Sequence, residues 1–170
     1  PINNTALNTL LRQVEILDAS ALHSLDRLAR LLLEENRKTN LTAIRTYEEV
    51  ISRHFLDSLM PFERGWKAPE RPGCDIGTGA GFPGLIHALI DPSRAWTLVE
   101  TVGKKVDWLA LAGRELNLKN LLLLRVRAEL LGRDPEHRER YGLCLARAVA
   151  PGPVMLEYAL PLLRVGGELW

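Results

Sequence analysis

Neither sign of charge dominates this chain of 170 residues: 22 Lys and Arg face 21 Asp and Glu, for a formal net charge of +1 and a pI near 8.3. Global charge therefore neither demands nor excludes a nucleic acid partner, and only local clustering can speak to one. Cysteine is scarce. Cys74 and Cys144 are the only two, both inside apolar strand-like runs, which reads as reduced, buried thiols in a reducing cytosol rather than as a disulfide framework. No stretch approaches the roughly eighteen uninterrupted apolar residues of a membrane span. The opening Pro1-Ile-Asn-Asn4 has neither the basic region nor the apolar core of a secretory signal. The reading is cytoplasmic, with no membrane partner. Aromatics are few, at 6%, and there is no internal repeat or low-complexity tract.

What is present is ordinary globular material, 46% hydrophobic and 25% charged, enough for one sizeable core. Leu22, Leu25, Leu28 and Leu32 recur at helical spacing, and helices are expected from about Thr5 to Leu17 and from about Ser20 to Lys38. Thr46-Tyr-Glu-Glu49 matches a capping box, opening a third helix that runs through His54, Asp57 and Ser58 to about Met60, with Pro61 closing it. Residues 1–62 thus read as an N-terminal helical extension. Gly65, Pro69, Pro72 and Gly73 mark a linker at the start of a second unit, 63–170. There the pattern alternates: strand Cys74 to Gly77, helix Phe82 to Ile90, strand Ala95 to Glu100, helix Lys104 to Leu116, strand Leu121 to Val126. A fourth strand, Tyr141 to Arg147, a helix, Val154 to Leu163, and a fifth strand from Gly167 follow. This alternation predicts an α/β, Rossmann-like fold with a mostly parallel sheet and helices on both faces. The chain stops inside the fifth strand and lacks an initiator methionine, so it reads as a fragment of a longer one.

The chemistry concentrates in Cys74-Asp-Ile-Gly-Thr-Gly-Ala-Gly-Phe-Pro-Gly84. Gly77, Gly79 and Gly81 let a backbone turn sharply and approach a ligand closely. Gly79, Gly81 and Gly84 also satisfy the dinucleotide spacing G-x-G-x-x-G, with Glu100 about twenty residues on. Spacing alone would allow NAD. A carboxylate from Asp75 at the mouth of the loop suits a cationic cofactor better than a pyrophosphate. S-adenosylmethionine (SAM) carries a sulfonium and an ammonium, which Asp75 near the amino acid end and Glu100 on the ribose would complement. A SAM-dependent methyltransferase of another substrate and a noncatalytic nucleotide-binding protein are the alternatives, with a dehydrogenase third.

Asn40-Leu-Thr42, His54-Phe-Leu-Asp-Ser58, Asp75 to Gly84, Gly103-Lys-Lys105, Arg127-Ala-Glu129 and Ala146-Arg-Ala-Val-Ala150 together resemble the bacterial RsmG (GidB) family. The resemblance implies a class I SAM-dependent methyltransferase acting on guanine N7 of small-subunit (16S) rRNA near the decoding centre. It implies that Gly77 and Phe82 line the cofactor, Glu100 meets the ribose, Ala128 and Glu129 flank the adenine, and Arg147 closes the pocket. Glu100-Thr-Val stands where the family more often shows Asp-Ser-Leu, keeping the carboxylate but lengthening it by one methylene. Proteins of this architecture continue to a sixth and seventh strand, which are missing here. A monomer is expected, with 16S rRNA or the small ribosomal subunit as partner and no metal.

Guanine N7 presents an in-plane lone pair, so methyl transfer to it needs no general base and depends on alignment and electrostatics. No acid or base is therefore assigned. Asn40, Arg53, His54 and Arg147 are the substrate-binding candidates, with Asp57 and Ser58 beside them. Arginine is the natural reader of guanine O6, provided N7 stays open. Docking of the third helix onto the core is the competing role for His54 to Ser58. Arg45, Lys104, Lys105, Arg125 and Arg127 could add a basic RNA surface, and Phe82 is the one aromatic placed to stack on a base.

Overall fold

In a computed structural model, which describes residues 17–63 and 72–170, helix α1 spans Ala19–Thr39. Asp18 caps it by accepting from the Ala21 amide at 2.7 Å, and Arg37 and Lys38 sit in its last turn, where cations complement the helix dipole. It ends at Asn40, whose left-handed φ of 50° closes the turn. The expected helix from Thr5 lies outside the described residues, apart from Leu17.

The next helical stretch begins with α2 (Tyr47–Val50), where Thr46 Oγ1 accepts from the Glu49 amide. It passes through a π-helical turn, Ile51–Phe55, into α3 (Leu56–Glu63). Pro61 does not close this helix as expected; the backbone stays helical to Glu63. Proline's fixed φ is itself helical, and the bond it removes points back toward the preceding turn. The π turn has no signature in apolar spacing.

Strands β1 (Gly73–Ile76), β2 (Trp96–Val99), β3 (Leu121–Leu124), β4 (Tyr141–Ala146) and β5 (Leu163–Leu169) alternate with α4 (Gly84–Ile90), α5 (Gly103–Glu115), α6 (Ala128–Leu131) and α7 (Gly152–Ala159). All pairings are parallel, in the order β3-β2-β1-β4-β5. The parallel α/β expectation holds. Two boundaries differ most from the expectation: β5 starts at Leu163 rather than Gly167, and the preceding helix ends at Ala159 rather than Leu163; the short helix α6 falls where no element was expected. Gly166 and Gly167 lie inside β5 at an irregularity in its pairing with β4, where the register shifts between Leu163, opposite Tyr141, and Glu168, opposite Leu143.

The sheet divides two apolar layers. On one side Leu25, Leu28 and Leu32 of α1 and Ile51 and Phe55 of the π turn pack with Leu85, Leu98, Trp108 and Leu109. On the other, Cys74, Ile76, Val99 and Cys144 meet Ala128, Leu131, Met155 and Ala159. Each fully buried leucine contributes about 2 kcal/mol, so α1 is welded to the sheet by its leucine stripe. From β1 the chain steps outward to β2 and β3, then returns to the far side at β4. Such a reversal opens a crevice beyond the carboxyl ends of the central strands, and here it lies between the Gly77 loop and Arg147.

Candidate functional site

Gly77, Gly79 and Gly81 all adopt positive φ, at 64°, 63° and 101°, so the loop after β1 takes a path that other residues rarely follow. Two buried groups hold that path. Asp75 is fully buried, and its Oδ2 accepts from Thr78 Oγ1 at 2.6 Å and the Gly84 amide at 2.8 Å. Trp108 donates from Nε1 to the Ala80 carbonyl at 2.9 Å, tying the loop to α5. The sequence reading put Asp75 at the mouth of the loop; the structure puts it underneath, as a brace. In a parallel sheet covered on both faces, a strand residue is buried whatever its polarity. Burial pushes the Asp75 carboxyl up to about 7, against the Thr78 and Gly84 hydrogen bonds, and its Oδ1 has no hydrogen-bond partner.

Glu100 ends β2 and joins the two loops of the crevice. Its Oε1 accepts from the amides of Thr101 and Val102 at 2.7 and 2.9 Å, and its Oε2 from the Gly79 amide at 3.0 Å. Lys105 Nζ lies 3.9 Å from Oε2. A carboxylate offers about four acceptor positions. Only Oε2 has one left, so a diol held through both hydroxyls requires release of one of these three amides.

Beside Glu100 opens a cavity of about 280 Å³ lined by Gly77, Val99, Thr101, Val126, Arg127, Ala128, Glu129, Val149 and Tyr158. Its mixed apolar and polar walls, a carboxylate at one end and the start of α6, whose first amides have no partner within the helix, suit a nucleoside. Four of the sequence-predicted cofactor residues, Gly77, Glu100, Ala128 and Glu129, meet here. Val149 lies in the Ala146-Arg-Ala-Val-Ala150 segment but was given no role there, and nothing in the local sequence of Tyr158 marks it. Gly79 bears on the fit of a ligand. A Cβ there would find only the Gly77 carbonyl at 3.9 Å and Lys105 Nζ at 4.0 Å, so the loop leaves room above this residue.

Phe82 and Arg147 do not line this cavity. They meet His54 on the other side of the loop. Phe82 is 4% exposed and stacks on the imidazole at 4.2 Å with an interplanar angle of 8°, so it is not an open platform for an RNA base. Arg147, just past β4, donates from one terminal nitrogen to His54 Nδ1 at 2.9 Å and from the other to the Arg53 carbonyl at 3.1 Å. The second nitrogen also lies 3.5 Å from Asp57 Oδ2. Burial, with the Arg147 charge beside it, pushes His54 down to about 4, so the ring is neutral near pH 7.

Asn40 and Arg53 lie nearby with other commitments. Asn40 Oδ1 accepts from Arg45 at 3.0 Å. Arg53 pairs with Glu49 at 3.8 Å. Ser58 donates to the His54 carbonyl at 2.6 Å. Lys104 donates to the carbonyls of Thr39 and Asn40 at 2.8 and 3.4 Å, which fits a cation at a helix C-terminus and gives its charge a partner other than RNA phosphate. Arg125 donates to the Thr101 carbonyl at 3.3 Å. Asn36, unsuspected from sequence, is 2% exposed and organises the whole turn from Leu41 to Ile44.

The family described as rRNA small subunit methyltransferase G matches residues 21–170. A protein named ribosomal RNA small subunit methyltransferase G from Roseiflexus castenholzii is 43% identical over 152 residues, covering 89% of this chain and 64% of its own. Its namesake from Deinococcus radiodurans is 45% identical over 141 residues, covering 83% and 56%. The chain thus spans roughly three fifths of the length of these relatives. Among solved structures, coclaurine N-methyltransferase bound to N-methylheliamine and SAH matches with a TM-score of 0.58 at 15% identity, over 96% of this chain and 54% of that one. A putative S-adenosyl-L-methionine-dependent methyltransferase from Methanococcus maripaludis matches with a TM-score of 0.56 at 12% identity, over 85% and 61%. The fold is that of class I SAM-dependent methyltransferases.

Proposed function

This chain belongs to the rRNA small subunit methyltransferase G family, and on that premise we propose that it transfers a methyl group from SAM to N7 of a guanine in 16S rRNA, near the decoding centre. The observation that carries the reading is the crevice at the strand reversal, with a nucleoside-sized cavity on one side of the glycine loop and a partly exposed arginine, anchored by His54, on the other. When bound, SAM would supply an electrophilic methyl group on a sulfonium.

Gly77, Glu100, Ala128 and Glu129 would hold the nucleoside end, with Gly79 and Gly81 shaping the loop over it. Asp75 supports that loop from below. Arg147 has five N–H donors and only acceptor-type partners, and its fixed guanidinium suits the O6 edge of a guanine while leaving N7 exposed. His54 is neutral and bonded at both ring nitrogens, consistent with a reaction in which no base removes a proton. In the division we propose, residues 1–62 form an extension whose described helices carry Asn40, Arg53 and His54 to the site, and residues 63–170 would hold the cofactor. We place the protein in the cytoplasm as a monomer; among the described residues no helix is long and apolar enough to cross a membrane.

Calorimetry of the full chain with SAM and with NAD is the first test. SAM should bind and NAD should not; the reverse would rule the reading out. Tritiated methyl transfer to undermethylated small subunits, with naked 16S rRNA and protein acceptors in parallel, then tests the substrate. Borohydride and aniline cleavage at 7-methylguanosine should locate the label. Label confined to protein would refute the rRNA assignment.

A further inference from the structure

The site leaves unexplained why a histidine, nearly buried and held neutral, stands between the glycine loop and the arginine. We propose that His54 is a positioning residue, which fixes the Arg147 guanidinium by accepting at Nδ1 and couples it to the cofactor loop through its stack on Phe82. This rests on the methyl-transfer reading and goes beyond it in assigning His54 a task.

The tautomer follows from the partners. Arginine only donates, so Nδ1, 2.9 Å from Arg147, must be bare. The proton then sits on Nε2, which faces Thr42 Oγ1 at 3.3 Å. Thr42 is held in turn, its amide donating to Asn36 Oδ1 at 2.9 Å and its carbonyl accepting from Asn36 Nδ2 at 3.0 Å. The ring therefore has one allowed proton arrangement and one orientation. Its faces are fixed as well, because Phe82 lies parallel to it at 4.2 Å, and Phe82 belongs to the same loop as Gly77 to Gly81. Displacement of that loop is thus felt by the imidazole and, through Nδ1, by the guanidinium.

The backbone prepares the other anchor. A π turn widens the helix over Ile51–Phe55, and such turns recur at functional sites. Here the carbonyls of Arg53 and His54 both accept side-chain donors, from Arg147 and Ser58. Among the described residues, the hydrogen-bond and ion-pair partners of Arg147 thus come from the one helical stretch: His54 Nδ1, the Arg53 carbonyl and Asp57. Its remaining N–H groups have no partner among the described residues, which leaves a fixed donor edge for an acceptor on the substrate.

A docking role would ask only that residue 54 fill its space. Positioning asks for an acceptor where Nδ1 stands. His54→Phe keeps the stack and removes the acceptor; His54→Asn restores an acceptor oxygen near Nδ1 and removes the stack. In the full chain, His54→Phe should lower kcat for transfer to small subunits by about 10- to 100-fold, the value of one hydrogen bond to a charged group, with SAM affinity within about twofold. His54→Asn should recover at least half of that loss on a logarithmic scale. Equal turnover for His54→Phe and wild type would overturn the proposal, as would His54→Asn matching His54→Phe while both fold. A readout independent of turnover is the ¹⁵N spectrum of histidine-labelled protein. His54 should show a bare Nδ1 and a protonated Nε2, with the Nδ1 resonance moving in Arg147→Ala. The opposite tautomer would overturn the proposal. If wild type transfers no methyl to small subunits, the functional reading fails, while the spectrum still decides the His54–Arg147 contact.

Discussion

Glycines that look alike in sequence do different work. A Cβ on Gly84 would stand 2.3 Å from Leu98 and 2.6 Å from Asp75 Oδ2, and one on Gly81 would stand 2.3 Å from Leu85. Those two are bare because the fold needs the space. Gly79 is bare although its neighbours stand off at 3.9 Å and beyond, which fits a position kept open for a ligand. Gly84→Ala should therefore cost about 3 kcal/mol of stability, the scale of an overpacked core. Gly79→Ala should cost only about 1 to 2 kcal/mol, the strain of a left-handed alanine, yet weaken SAM binding tenfold or more. Urea denaturation and calorimetry on both variants separate the effects. Unchanged SAM affinity in Gly79→Ala would refute the idea that the loop cradles the cofactor. The glycine spacing alone marked a ligand loop and could not sort its members, since the sorting depends on Leu98, Asp75 and Leu85, which meet those glycines only through packing.

The elements were legible where local pattern decides them. Leu25, Leu28 and Leu32 announce α1, and the runs Trp96–Val99 and Leu121–Leu124 announce strands buried in a parallel sheet. Contacts across the chain were not. Arg147 and His54 are 93 residues apart, and either alone reads as a surface cation or a helix-docking histidine. Asn36 is the sharpest miss. It sits on α1 among charged neighbours, Glu34, Glu35 and Arg37, and reads as solvent-facing, yet it is buried. Its Nδ2 donates to the Thr42 and Ile44 carbonyls at 3.0 and 2.8 Å, and its Oδ1 accepts from the amides of Leu41 and Thr42 at 2.7 and 2.9 Å. Asn36→Ala leaves three of those backbone groups without a partner, the Thr42 carbonyl still accepting from Arg45. At about 1 kcal/mol each, it should destabilise the protein by about 3 kcal/mol, measured by chemical denaturation. Asn36→Asp keeps the acceptor but turns a carboxylate toward two carbonyls, so it should recover little. If it recovers most of the loss, the donor half of the arrangement is unimportant.

At the scale of the whole molecule, three buried titratable groups surround the glycine loop and act on stability with opposite signs. His54 and His87 are each pushed down to about 4, chiefly by burial, while burial pushes Asp75 up to about 7. The unfolded chain takes up protons on both histidines as pH falls through about 6.5, and the folded chain resists until about 4. Their contribution is thus present above pH 6.5 and lost on acidification toward 4. Asp75 runs the other way: its folded form keeps a proton that the unfolded form has lost above about 3.9, so its contribution is present in acid and lost as pH rises toward 7. Inside the window from about 4.5 to 6, each such group changes the slope of stability against pH by about 1.4 kcal/mol per pH unit. Asp75→Asn removes the opposing group and should steepen the rise with pH by about that amount. His87→Gln keeps a nitrogen donor toward the Ser58 carbonyl, which the ring now meets at 3.1 Å, and removes a titration, so it should flatten the rise by a similar amount. Urea denaturation of both variants and wild type at pH 4.5, 5.25 and 6 measures the slopes. A slope unchanged in Asp75→Asn would mean that this carboxyl is ionised in the folded protein throughout the window, and the brace beneath the cofactor loop would then be a buried charge.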